Sequence, residues 1–173
     1  MFSIEVSNNI NKVAQEINST KPQIELAIVR ALNKTALWVK SQASREISTE
    51  KQIKLKLIRN RLQVIKANRN SLRALVRASL YGIKAAKLGS MRQTKTGVKV
   101  GKYMFHSAFV ATMPRGYTSS FKRKGKTALP IQEVTLPLEP EASKIIKGLV
   151  SNEVDKVFEK YFQHELNFIL QKV

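Results

Sequence analysis

The residues best equipped for chemistry in this chain are cations, and they are crowded together. Lys122-Arg123-Lys124-Gly125-Lys126 places four positive side chains in five positions. Around it, the stretch from Lys51 to Gln132 holds 20 Lys and Arg and no Asp or Glu; all 12 acids lie outside it, five before and seven after. Ordinary surfaces mix both signs, so a block of one sign either attracts polyanions or repels itself into disorder. Lys122, Arg123, Lys124 and Lys126 are the leading candidates to contact DNA or an acidic partner. Lys51, Lys54, Arg61, Arg73 and Arg77 come next. The run also has the composition of a nuclear-localisation signal, a weakly specific match.

Catalytic chemistry finds little support. Gly97-Val98-Lys99-Val100-Gly101-Lys102-Tyr103 has the outline of a phosphate loop. Its glycines are one residue too close, however, and Tyr103 stands where a Ser or Thr should meet magnesium. Metal-dependent hydrolysis needs clustered carboxylates. None lies between Lys51 and Gln132, and Glu153, Asp155 and Glu159 read as the solvated face of a helix. His106 and His164 stand in unrelated contexts with no cysteine and no ligand spacing. Ser119 and Ser120 have no identifiable base. No helix-turn-helix, zinc finger or RNP aromatic pattern is present, so any nucleic-acid contact would be to phosphates and salt-dependent. The residues therefore predict a non-enzyme with no cofactor, no metal and no small-molecule substrate.

The elements that must position the cations follow from length and periodicity. At 173 residues, 43% hydrophobic and net charge +19, the composition is that of one folded domain rather than a disordered polycation. The absence of cysteine excludes disulfides. Met1-Phe2-Ser3-Ile4-Glu5 has no basic n-region and no long apolar run follows anywhere, so neither a secretory signal nor a membrane span is expected.

Ile10, Val13, Ala14 and Ile17 predict a short helix over 7–18 after a Ser7 cap. Ser19-Thr20-Lys21-Pro22 predicts a restart, and Ile24, Ile28, Ala31, Leu32, Thr35, Trp38, Val39 and Ala43 give the stripe of a helix over 22–47. Trp38 is expected in the core or at a subunit interface. Thr49-Glu50-Lys51-Gln52 reads as a capping box opening a basic helix over 50–60, with Ile53, Leu57 and Ile58 inward and Lys51, Lys54 and Arg61 outward.

Residues 62–66 and 72–80 alternate and predict a hairpin across Ala67-Asn68-Arg69-Asn70. A basic loop over 88–96, a strand over 97–103 and a strand over 107–112 follow. A turn at Met113-Pro114-Arg115-Gly116 leads to a return strand over 117–121, then a cationic loop tip over 122–126 and a last strand over 129–136. From Glu141 to Lys172 one helix of about 30 residues is expected, by its sustained helical period. That length suits packing on a neighbouring subunit, with Val157, Phe158, Tyr161 and Phe162 as interface candidates alongside Trp38.

The predicted class is α+β: N-terminal helices, a small, mainly antiparallel basic sheet and a long C-terminal helix. The expected division of one domain, 1–173, is 1–48 helical, 49–136 basic helix plus sheet, and 138–172 C-terminal helix.

A collinear set of segments resembles the minor tail protein Z family of long-tailed bacteriophages and prophages. It comprises Ala31-Leu32-Asn33-Lys34-Thr35-Ala36, the basic run Lys51 to Arg61, Ile83-Lys84, Lys87-Leu88-Gly89 and Ala108-Phe109-Val110. Leu129-Pro130-Ile131, Val134, Leu136-Pro137 and the C-terminal helix complete it. It spans nearly the whole chain, although the loop between Gly89 and Tyr103 is shorter than in the family pattern. The resemblance implies a non-catalytic structural protein completing the head-proximal end of the tail, near the head–tail junction. It would be assembled in the host bacterial cytoplasm and carried in the virion. It further implies other tail and neck proteins as partners, a homo-oligomeric ring and non-specific contact with DNA, with no membrane involved. The competing reading is a sequence-independent nucleic-acid-binding protein of ribosomal or nucleoid type.

Overall fold

A computed structural model describes residues 20–171 and the backbone of residues 2–5. The helix expected over 7–18 and the end of the last helix at Lys172 lie outside the described residues. In chain order come β1 (Phe2–Glu5), α1 (Lys21–Glu50), α2 (Leu55–Arg59), β2 (Leu62–Ile65), β3 (Arg73–Ala78), β4 (Ile83–Lys84) and α3 (Ala85–Leu88). Then follow β5 (Met91–Gln93), β6 (Gly97–Val100), β7 (Tyr103–His106), β8 (Ala108–Thr112) and β9 (Thr118–Arg123). β10 (Ile131–Glu133), β11 (Thr135–Leu136), α4 (Glu141–Asn152) and α5 (Val154–Leu170) close the chain. The fold class is α+β, as expected. Contacts divide the chain into two compact units: residues 1–79 with 140–173, and residues 80–139.

The first unit is organised by α1. Thr20 caps it, with its N–H donating to Gln23 Oε1 at 2.8 Å, and Pro22 occupies the first turn, where its missing N–H costs nothing. The expected stripe is buried: Ile24, Ile28, Ala31, Leu32, Thr35, Val39 and Ala43 all face inward. Thr35 satisfies its buried hydroxyl on the Ala31 carbonyl at 2.9 Å.

The C-terminal end differs from expectation. Thr49 lies inside α1 rather than capping a new helix, because the chain ends α1 in a Schellman turn. Gln52 takes φ 42°, its N–H donates to Thr49 O at 3.1 Å, and the Ile53 N–H donates to Ser48 O at 3.1 Å. The following helix is therefore shorter than expected and buries only Ile58.

Opposite α1, β2 and β3 pair antiparallel in the register Leu62↔Ala78 to Ile65↔Leu75, as the alternation predicted. The Asn68 side chain closes the turn by accepting the Ser71 N–H at 2.8 Å. β1, which the sequence reading missed, pairs with the other edge of β3 and completes a sheet of order β1-β3-β2. Ala74 and Val76 face the α1 core while Arg73 and Arg77 are exposed.

The C-terminal segment is two helices, broken at Glu153 (φ −123°, ψ −26°). The spacing of the fully buried residues changes across the break. Ala142, Ile146 and Leu149 keep helical intervals, but the next buried residue, Val154, lies five positions on. In an unbroken helix it would sit about 140° round the axis from Leu149. The break, after the poor helix formers Ser151 and Asn152, returns Val154, Leu166 and Ile169 to the α1 core.

The second unit is built from short antiparallel sheets, β5-β6-β7, β10-β9-β8 and β11-β4. Residues 97–103 do not form one strand. Gly101, at φ 58°, begins a two-residue loop that folds β7 back on β6. β5 occupies part of the expected loop, and the expected last strand is split into β10 and β11. The strand, turn and return strand over 107–121 stand as expected, in the register Ala108↔Lys122 to Thr112↔Thr118. A small apolar centre of Ala85, Val98, Val100 and Ala108 holds the unit, flanked by Leu88, Met91, Phe105, Val110 and Val134.

Candidate functional site

The predicted contact residues fall in both units. Lys122 and Arg123 end β9, and Lys124 and Lys126 lie in the loop leading to β10. All four are exposed, and none has an ion-pair partner among the described residues. The expected loop tip thus begins two residues later, at Lys124, because Lys122 and Arg123 pair with Gln132 and Ile131 of β10.

In the first unit, Lys54, Arg73 and Arg77 are exposed. Lys51, expected outward, is turned inward. Its Nζ lies 2.7 Å from Glu141 Oε2, with 13% of the side chain exposed. Glu141 is held below its ordinary value first by that lysine's hydrogen bond. This pair ties the end of α1 to the start of α4. Arg61 is half-buried and donates from Nη1 to the Ser79 carbonyl at 3.3 Å.

Of the interface candidates, Trp38, Phe158 and Phe162 pack against the α1 core. Phe158 and Phe162 stack with centroids 5.9 Å apart and planes 8° from parallel. Val157 and Tyr161 are half-buried on the same helix.

Two charged networks escaped the sequence reading. In the second unit, Glu133 Oε2 lies 2.7 Å from Lys84 Nζ, while its Oε1 accepts from Ser119 Oγ at 2.6 Å and from the Tyr117 hydroxyl. Burial pushes the Glu133 carboxyl up, but the hydrogen bonds from Lys84, Ser119 and Tyr117 outweigh it and hold the group below its ordinary value. Lys84 is raised in turn, chiefly by its hydrogen bond to Glu133. Ser119 therefore has a carboxylate partner, but the arrangement spends both oxygens on fixed neighbours. The signal available was position: Glu133 is the first acid after the acid-free stretch.

In the first unit, Glu165 is buried with its side chain 6% exposed. It pairs with Lys34 and, at 3.4 Å, with Arg30 Nη1. His164 Nδ1 lies 3.8 Å from Glu165 Oε1. Among the described residues, no group of three or more His, Asp or Glu is placed to hold a metal ion, and no helix is long and apolar enough to cross a membrane.

These networks lock α1 to α5 and β4 to β10. The exposed cations are left to face outward. A family model described as prophage minor tail protein Z matches residues 8–173. The chain belongs to that family. A tail completion protein of Escherichia phage N15 is 26% identical over 141 residues, covering 75% of this chain and 77% of that protein. No solved structure matches.

Membership of the minor tail protein Z family gives the chain a structural role in the phage tail. The fold assigns work to one of the segments that carry the resemblance. Ala31 to Ala36 is the middle of α1. There Ala31, Leu32, Thr35 and Ala36 are buried, Lys34 meets Glu165, and Asn33 reaches the β2–β3 turn.

Proposed function

We propose that this member of the minor tail protein Z family completes the head-proximal end of the tail at the head–tail junction. It acts there without catalysis, as one subunit of a homo-oligomeric ring assembled in the host cytoplasm. The carrying observation is the cluster Lys122, Arg123, Lys124 and Lys126, exposed and without an ion-pair partner among the described residues. A ring repeats each subunit's charge, so these side chains form a positive annulus toward DNA or toward acidic neck and tail proteins. Lys54, Arg73 and Arg77 add exposed charge; Lys51 and Arg61 contribute through the fold. Val157 and Tyr161, with Trp38, Phe158 and Phe162 behind them, supply the apolar side of the ring contact.

Images of tails assembled with and without the chain test this reading. Density for a ring of it at the head-proximal end, and tails that fail to join heads in its absence, are the expected results. A monomer that binds random duplex tightly and never associates with tails would overturn the proposal in favour of a free nucleic-acid binder.

A further inference from the structure

The second unit contains a cleft whose cations come from two separate places in the sequence. It is lined by Lys95 and Thr96 from the β5–β6 turn, Lys122 and Arg123 from β9, and Gln93 and Ser107 between them. The convergence is built in. Ser107 takes φ 59° and its N–H donates to Thr96 O at 2.9 Å, which draws the 94–97 turn onto the start of β8. Gln93 fixes the same junction, donating to Gly97 O at 3.0 Å and accepting from the Val110 N–H at 2.9 Å. Ala108 then pairs with Lys122, so β9 delivers its cations beside the turn that carries Lys95.

We infer that this cleft is a binding site for the sugar–phosphate backbone of nucleic acid, with Lys95, Lys122 and Arg123 as the phosphate contacts. The inference rests on the reading that the basic cluster meets a partner, and it narrows that partner to nucleic acid.

Three features favour phosphate over an acidic protein. No carboxylate lines the cleft. The nearest acid in the strand register, Glu133 opposite Phe121, borders a separate pocket beside Lys122 and Arg123 and has its oxygens engaged by Lys84, Ser119 and Tyr117. Three of the ten lining residues are cations and two more are hydroxyl side chains, against the apolar Ala108 and Phe109, whereas the centre of a protein interface is depleted of charge. Gln93 commits its amide to the Gly97 carbonyl and the Val110 N–H, which leaves Arg123 as the one lining side chain with a planar fork to reach a base edge bidentately. Backbone contact therefore dominates, and recognition is largely independent of sequence.

The test titrates the full-length chain with fluorescently labelled random-sequence duplex across a salt series. Each phosphate neutralised adds about 0.9 to the slope of log affinity against log salt. The triple variant Lys95→Ser, Lys122→Ser, Arg123→Ser is expected to lower that slope by about two to three, and Lys95→Ser alone by about one. Lys144→Ser with Lys147→Ser, two exposed lysines of α4, is expected to leave it unchanged. Thermal melts confirm that each variant folds, and the single Lys95 change carries the test if the triple does not. An unchanged slope in the Lys95 and triple variants overturns the site. So does polyglutamate binding that depends on the three residues as strongly as DNA binding does, since the surface would then serve acidic proteins. Tail joining measured on the same variants separates the two proposals. Lost DNA binding with intact joining leaves the cleft standing and removes its role at the junction; intact DNA binding with lost joining does the reverse.

Discussion

Asn33 and Ala67 hold each other by both ends of one side-chain amide. Asn33 Nδ2 donates to the Ala67 carbonyl at 3.1 Å, and the Ala67 N–H donates to Asn33 Oδ1 at 2.8 Å. The pair pins the β2–β3 turn to α1. Ala67 is buried, so truncating Asn33 strands two backbone groups away from water. Asn33→Ala is expected to lower stability by about 2–4 kcal/mol. Asn33→Asp, which keeps the acceptor, should lose less. Denaturant midpoints at constant m-value check both.

Glu165 makes the first unit acid-sensitive. Burial pushes its carboxyl up, yet hydrogen bonds and charge from Lys34, then Arg30, hold it below its ordinary 4.5. A carboxyl depressed in the folded state contributes stability that is complete above its unfolded pKa and is lost as pH falls through the folded one. Glu165→Gln should therefore flatten the acid limb of a stability–pH curve below about pH 4.5. At neutral pH the loss is on the order of 1–2 kcal/mol, because Arg30 and Lys34 are themselves well exposed. Equal pH profiles for the two proteins would refute this.

Gly97 has no room for a side chain. A Cβ there would stand 2.1 Å from the Phe105 carbonyl oxygen, inside the β6–β7 ladder. Because the clash is with backbone, no rotamer change relieves it, and Gly97→Ala should cost at least about 2 kcal/mol. Faster hydrogen exchange at Val98 and Val100 is the local signature to look for.

Gln52 offers a gain. It holds the left-handed position of the Schellman turn, where glycine is the usual occupant. Gln52→Gly relieves the Cβ strain at the expense of some unfolded-state entropy, for an expected net stabilisation of about 0.5–1 kcal/mol. A thermal midpoint that falls would show that the Gln52 side chain has a role the turn geometry does not reveal.

Much of the architecture was legible because periodicity reports burial. The stripe from Ile24 to Ala43 specified α1, and the alternation of Leu72, Ala74, Val76 and Ala78 specified β3 and its hairpin. What stayed hidden depended on partners distant in sequence. Phe2-Ser3-Ile4-Glu5 alternates apolar and polar, but four residues are the shortest run that can signal a strand, and it is β3 that supplies the edge. Met91-Arg92-Gln93 lacks alternation and is a strand because β6 pairs with it. The break at Glu153 is visible only in the five-residue step from Leu149 to Val154, which a helical stripe tolerates on paper. The candidate site was half legible: composition exposed Lys122 to Lys126, but only the turn at Ser107 brings Lys95 to them. Asn33 and Glu165 gave no sequence signal, since one side chain among many polar ones cannot announce its partner.

The place of the second unit within the chain bears on synthesis. The strands that build it are contiguous between Leu80 and Glu139, whereas the two long helices that pack on α1 come only after Pro140. On the ribosome the later-encoded unit can close first, while Ile24, Leu32 and Val39, covered by the β2–β3 hairpin alone, wait for α4 and α5 to complete their core. Nascent chains halted before Glu141 should therefore be the species that chaperones hold and proteases cut within α1, a vulnerability that ends once α5 has been made.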